Sequence, residues 1–357
     1  MVTVRQLLED KGRAVWSVQA DASVYEALSL MAQQDIGALL VLDGDETLGT
    51  LSGAGTVDLG SATLSTGSGG DSTFAGSLSG GGSLRKQGAG DFVLSGSSTY
   101  IGSTRVDGGA LVLADGGSLA TSDYVVNGTL RFTHTDGVTL AVPVTGSGVL
   151  EQAGTGVLTI SGPAKTYTGG TRVSAGTLVT DAANLLPDTG AVSVAANAAL
   201  ELGGAETLGS IDLDQKGQLK LNGDFTTAGA MNLKGEVVNV GGGPLTISGT
   251  RIVADNDANR WGSRLSINAS DEVTLSSGRS GGVQNDLKLG ELNLGAGGSI
   301  TAGTISLDGL ATLSGGTLTL DSAAAQVGLA PDSSVLGKDA PGGRQIGFAA
   351  DVVTQTG

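Results

Sequence analysis

From Glu46 onward the chain alternates brief apolar runs with glycine-rich punctuation every few residues. Phe92-Val93-Leu94, Thr104-Arg105-Val106 and Ala110-Leu111-Val112-Leu113 are short runs of β-prone residues. The glycines between them supply tight corners and positive φ at low steric cost. In Thr177-Leu178-Val179-Thr180, apolar and polar residues partly alternate, as in a strand with one buried face. Strands this short cannot bury a hydrophobic face alone. Stacked coil upon coil they share one continuous core and pair every backbone group, so the pattern predicts an all-β chain built as a parallel β-helix, or β-solenoid. The first 45 residues follow another pattern. Ser23-Val24-Tyr25-Glu26 is a capping box, Val24, Ala27, Leu28 and Met31 fall on one helical face, and Gly37 follows the helix end. Val15-Trp16-Ser17-Val18 and Ala38-Leu39-Leu40-Val41-Leu42 read as strands on either side, which predicts β-α-β with a helix over 24–34.

The solenoid region contains an internal repeat. Leu84–Leu113 returns as Leu150–Val179, with Leu84, Gly88, Gly90, Leu94 and Gly96 matching Leu150, Gly154, Gly156, Ile160 and Gly162. One residue enters the second copy, after which Tyr100, Gly102, Thr104, Arg105, Val106, Gly109 and Leu111 match Tyr167, Gly169, Thr171, Arg172, Val173, Gly176 and Leu178. A coil of roughly 20–25 residues predicts about 12–15 coils spaced about 4.8 Å apart, a rod on the order of 60–70 Å.

The recurring phrase K-x-G-x-G, then L-S-G, T-Y-x-G-x-T and G-x-L resembles the passenger-associated repeat of bacterial autotransporters, with Gln152 where that motif prefers lysine nearby. Glu46-Thr47-Leu48-Gly49-Thr50-Leu51-Ser52-Gly53-Ala54-Gly55 resembles a further phrase of the same family, echoed at Glu206–Ile211. The resemblance is specific from Glu46 to about Asp214. Beyond it, Leu245-Thr246-Ile247-Ser248-Gly249 and Gly315-Gly316-Thr317-Leu318-Thr319-Leu320 are similar to filamentous-haemagglutinin-type repeats. The resemblance implies a right-handed parallel β-helix on the outside of a Gram-negative cell. It also implies an adhesin-like partner on a host or neighbouring cell, protein or glycan, and an outer-membrane translocator elsewhere in the full-length protein.

Residues 1–45 resemble the first half of a cystathionine-β-synthase-type (CBS) domain, a cytoplasmic module that binds adenosyl nucleotides in pairs. That family continues with a hydroxyl and an aspartate that hold ribose and phosphate. Ser52 stands at the hydroxyl, but Gly55 takes the acid's place, and the second half of the module is missing. The expectation is no nucleotide site. The junction at 43–46 has no linker, and reads as a joined fragment arising by gene fusion or sequence assembly. The organisation expected is therefore a truncated CBS-like fragment over 1–45, passenger repeats over 46–330 and an irregular tail over 331–357. The start lacks the apolar core of a signal peptide, and the tail lacks the aromatic-girdled strands of a membrane barrel.

Composition narrows the chemistry. The net charge of −16 argues against nucleic acid, which needs clustered Lys and Arg. Aromatics are only 3% against 62 glycines, which suits a thin core filled by Val, Leu, Ile and Ala. With no cysteine there are no disulfides or thiolate metal sites, and no apolar run is long enough for a membrane-spanning helix. The single histidine, His134, has no zinc-site partner and no nucleophile elbow beside it, and is expected on an exposed strand or turn. Asp255, Asp257 and Asp271 could serve a calcium ion or an acid pair, but lack an EF-hand's glycine and glutamate and read as solvated loop charge. Trp261, beside Arg260 and Arg264, could stack on a sugar or cover a loop. Gly80-Gly81-Gly82 and Gly241-Gly242-Gly243 are corners, since no phosphate-loop lysine or helix accompanies them.

The aligned copies do not repeat their acids: Asp91 aligns with Val157, Asp107 with Ser174 and Glu151 with Arg85. Ladders of acids are not expected, so the sequence reads as a non-enzymatic surface rod with no catalytic, cofactor or metal residues. A glycan-cleaving β-helix enzyme and a cytoplasmic nucleotide sensor are the alternatives.

Overall fold

The computed structural model describes residues 14–19, 22–34, 40–42 and 44–276 apart from 255, 257 and 272, and beyond these the backbone of short strands between 279 and 356. The chain is nearly all β, and its only helix among the described residues is Val24–Gln34. Every strand pair described is parallel except Arg279–Ser280 with Val283–Gln284. It forms two compact units: residues 1–157 with 165–169, and residues 158–164 with 170–357.

The first unit is a solenoid with three faces, and each coil lies about twenty residues beyond the last. On the first face, Thr63–Thr66, Ser83–Lys86, Thr104–Val106 and Tyr124–Val126 pair in order, placing Leu64, Leu84, Thr104 and Tyr124 in one column. On the second, Ser72–Phe74, Asp91–Leu94, Ala110–Leu113, Thr129–Phe132 and Val149–Gln152 do the same. The third face carries Ala54–Asp58 paired with Ser77–Ser79, then Ser97–Ser98 paired with Ser118–Leu119. Inward columns such as Phe92, Leu111, Leu130 and Leu150 are buried to 1% exposure or less. Each such side chain contributes roughly 1.5–3 kcal/mol when fully buried.

Coils stack this closely only where the corners carry no side chain. A Cβ on Gly96 would collide with the carbonyl oxygens of Gly76 and Ala75, and one on Gly102 with that of Gly82. These are the repeated glycines of the motif, and here their lack of bulk matters more than their freedom in φ.

Three further motif residues are buried polar groups. The Lys86 side chain is fully buried, and its ammonium donates to the carbonyls of Gln87 at 2.6 Å and of Gly88 and Gly108 at 3.1 Å. Burial pulls this ammonium below the ordinary lysine range, while Asp91 and Asp71 oppose the shift. In the second copy Gln152 does the same work, with Nε2 donating to the carbonyls of Gly154 at 2.8 Å and Gly156 at 3.1 Å. Lysine and glutamine thus alternate because both can staple a glycine corner whose carbonyls turn inward. The Tyr and Thr of T-Y-x-G-x-T also meet: the Tyr100 hydroxyl bonds the Thr104 hydroxyl, which donates to Thr121 at 2.9 Å. All three are buried, and burial pushes the Tyr100 phenol up.

The repeat does not coincide with a whole number of coils. The first copy opens on the first face, where Leu84 pairs between Leu64 and Thr104. The second opens on the next face, where Leu150 pairs with Leu130. The motif therefore returns after three coils and one additional face.

The β-α-β segment forms as the pattern predicts, with Ala14–Gln19 parallel to Leu40–Leu42. Ser23 caps the helix: its hydroxyl accepts the Glu26 N–H at 3.2 Å, and the Glu26 carboxylate accepts the Ser23 N–H at 2.8 Å. The helical face expected to be apolar and packed is open instead, with Leu28 at 58% exposure and no buried residue among those described in the helix. Ala14–Gln19 also pairs with the solenoid strand Ala54–Asp58. Residues 46–58 belong to the solenoid: Glu46 and Thr47 pair with Leu64 and Ser65, and Ala54–Asp58 with Ser77–Ser79.

The second unit repeats the design. Thr171–Val173, Ala191–Val194, Ser210–Leu213, Met231–Leu233, Ile252–Ala254 and Val273–Ser276 pair in order on one face. Thr177–Thr180, Ala199–Leu202, Gln218–Leu221 and Glu236–Asn239 form a second face. Glu206–Leu208, Phe225–Thr227, Pro244–Gly249 and Arg264–Ala269 form a third. Of the expected tail, the strands Gly347–Phe348 and Thr354–Thr356 are described, each paired with an earlier coil; the remainder lies outside the described residues.

Replacing Lys86 with leucine removes every donor to three corner carbonyls, and is expected to cost about 2–4 kcal/mol in urea unfolding. Lys86→Gln should retain at least half of that stability, because Gln152 already performs the role. Equal stability of Lys86→Leu and the parent chain would refute the staple.

Candidate functional site

His134 is buried, at 7% exposure, rather than exposed as expected, because the in–out alternation of Thr129–Phe132 runs two residues past the strand's end. Its Nε2 donates to the Gly117 carbonyl at 2.8 Å, and Nδ1 is buried without a hydrogen-bond partner. Trp261 is likewise buried, and its indole N–H donates to the Ser276 carbonyl at 2.9 Å. Its ring is not presented to a sugar; Arg260 beside it is exposed and paired with Glu236. Nearby the chain turns inward at Asn259, whose side chain accepts from Val237 N and donates to Ala254 O, both at 2.9 Å. Asp271 is exposed, while Asp255 and Asp257 lie outside the described residues. No group of three metal-ligating side chains occurs among the described residues.

The acids at the corners have a shared occupation. Asp45, Asp71 and Asp115 each accept a backbone N–H from the next coil at 2.7 Å, from Thr63, Asp91 and Thr135 in turn. Asn127 accepts from Ser147, and in the second unit Asp224 accepts from Thr246. The Thr135 amide holds the Asp115 carboxyl below its usual range. On the strands, Arg131 spans Asp91 at 2.9 Å and Glu151 at 2.8 Å. Arg85 and Arg105, adjacent in register, share Asp107. Burial would raise the Asp107 carboxyl, but the hydrogen bonds and charges of the two arginines outweigh it and hold it low. These carboxylates join one coil to another.

One acid stands apart. Glu206 is buried at 2% exposure, and its carboxylate accepts the N–H groups of Leu186 at 3.1 Å and Leu185 at 3.3 Å. It thereby holds the strandless segment 181–190, whose two leucines turn into the core. Burial pushes this carboxyl up to about 7, against the pull of the two amides and with help from Asp188. Sequence reasoning read Glu206 only as part of a family echo; nothing in its neighbours signals that it faces inward.

What remains for a partner is the outward surface. In the second unit Arg172, Ser193, Asp212 and Asn232 stand in register along one face. Beside them is an open depression of about 430 Å³ lined by Ala196, Asp214, Gln215, Lys216 and Lys234. Lys216 adopts the left-handed conformation, φ 66°, which lysine rarely takes. Both lysines are exposed, and they give this part of an acidic chain a positive edge.

Residues 84–113 and 150–179 match the family model described as Passenger-associated-transport-repeat. The chain is also similar to the adhesin BmaC autotransporter of Brucella suis biovar 1, 35% identical over 153 residues. That match covers 36% of this chain, which spans 4% of the relative's length. No solved structure matches the chain.

Glu206 gives a pH test. Because its folded carboxyl titrates higher than the ordinary 4.5 of an unfolded glutamate, folding takes up a proton between these values. Stability should therefore fall as pH rises from about 4.5 to about 7, and level off above. Glu206→Gln is expected to abolish that slope in urea titrations, whatever constant offset the lost acceptor introduces. An unchanged slope would remove Glu206 as its source.

Proposed function

We propose that this chain is part of a cell-surface, adhesin-like autotransporter passenger that binds its partner by extended contact along the solenoid flank. The observation that carries this reading is that many of the described acids, among them Asp45, Asp71, Asp107, Asp115, Glu151, Asp224 and Glu236, serve as coil-to-coil acceptors. General acid–base catalysis needs two titratable groups within reach of one substrate atom and with separated proton affinities. The repeats and the similarity to an autotransporter adhesin support the same reading. The partner is a protein or glycan on a host or neighbouring cell. The depression at Lys216 and Lys234 offers such a partner cationic anchors for an anionic group, with hydrogen-bonding side chains at Ser193, Asp212 and Asn232 beside it.

Binding of the purified chain to intact cells and to an array of anionic and neutral glycans tests this. Saturable binding is expected, with Lys216→Glu/Lys234→Glu weakening it by about tenfold, or roughly 1.4 kcal/mol. Pectin, alginate and neutral glycans should be recovered uncleaved. Turnover of any of them by the chain would make it an enzyme and overturn the proposal.

A further inference from the structure

The strand Ala54–Asp58 opens the third face of the first unit. On one side it pairs with Ser77–Ser79. Its other side would expose a row of unpaired backbone groups, the kind of edge that recruits a strand from another chain. Ala14–Gln19 fills that side, with Ala14, Val15 and Trp16 opposite Ala54, Gly55 and Thr56. The Ser17 hydroxyl adds an anchor, accepting the Asp58 N–H at 2.7 Å.

The segment that carries this strand is otherwise loosely held. Its helix has no buried residue among those described, and Tyr25 is 80% exposed. Leu40–Leu42 pairs with Ala14–Gln19 and with no strand of the solenoid. Just beyond lies Gly44, at φ +98° with no atom within 4 Å of where a side chain would stand. An arm whose described attachment to the solenoid is this one strand pairing with the Ser17 hydroxyl, followed by a glycine with open space around it, has the construction that permits exchange between copies.

We propose that the edge of Ala54–Asp58 is a strand-accepting site and that its partner in trans is the Ala14–Gln19 strand of a second copy of this chain. The arm occupies its own edge in the monomer. When it swings out, the same register and the same serine anchor serve an identical arm equally well, giving an arm-exchanged pair.

The absence of native cysteine makes this testable by crosslinking in the full-length chain. Trp16→Cys is placed in one copy and Thr56→Cys in another, so that a bond between these two positions can form only between molecules. Docking would raise the local thiol concentration from about 10 μM in bulk to about 1 mM, so the mixed dimer should form roughly a hundredfold faster than with a Ser147→Cys control partner. A single chain bearing both Trp16→Cys and Thr56→Cys reports on the closed arm, and should crosslink within itself. Closure within the double variant but no dimer above control in the mixture would make the arm a fixed part of its own coil, and overturn the exchange. Failure of the double variant to close would overturn the pairing on which the site rests.

Discussion

The structure depends on the pairing of each stretch of main chain with the stretch about twenty residues further on. That pairing satisfies backbone groups that strands of three or four residues could not satisfy by themselves. It also brings successive corners so close that a β-carbon at Gly96 or Gly102 would sit against the carbonyl of the coil before. From this follow the scarcity of large rings, the columns of leucine and valine, and the absence of bulk at the repeated glycines. A sequence that kept its hydrophobic pattern but filled those corners would retain the strands and lose the stack.

Polar chemistry is spent largely on the same task. Turns that carry carbonyls inward are closed by Lys86 or Gln152, and turns that carry amides outward are closed by Asp45, Asp71, Asp115 and their equivalents. An acidic chain of this kind is not primarily a charged surface waiting for a cation. Many of its carboxylates already serve as acceptors for the following coil. The exposed ion pairs add little individually, at most about 1 kcal/mol each. Arg131, which reaches Asp91 and Glu151 on strands either side, and Asp107, which joins two adjacent strands, matter more for linking coils than for the strength of any single bond.

The solenoid was legible because its cause is local and periodic: runs such as Phe92-Val93-Leu94 and the glycines around them announce strand and corner directly. The capping box at Ser23–Glu26 announced its helix for the same reason. Residues whose role depends on what lies a coil away were not legible. His134 and Trp261 looked like surface groups, since a lone polar or aromatic residue beside turn residues carries no sign of which way its strand faces. Glu206 gave no signal because its partners, Leu185 and Leu186, belong to an excursion of the preceding coil. The N-terminal strand read as half of a separate module. Its attachment to Ala54–Asp58 is a strand pairing with one serine hydroxyl beside it, and neither names its partner strand in the sequence.

The displacement of the second motif copy by one face gives the duplication a screw character. Copying this segment advances the chain along the stack and also rotates it, so identical residues look out in different directions. A receptor that recognised the outward side of Leu84–Leu113 would not find the same surface above it on the same side. The duplication keeps the framework, a stapled glycine corner at Lys86 and again at Gln152, while its opening strand moves from one face to the next.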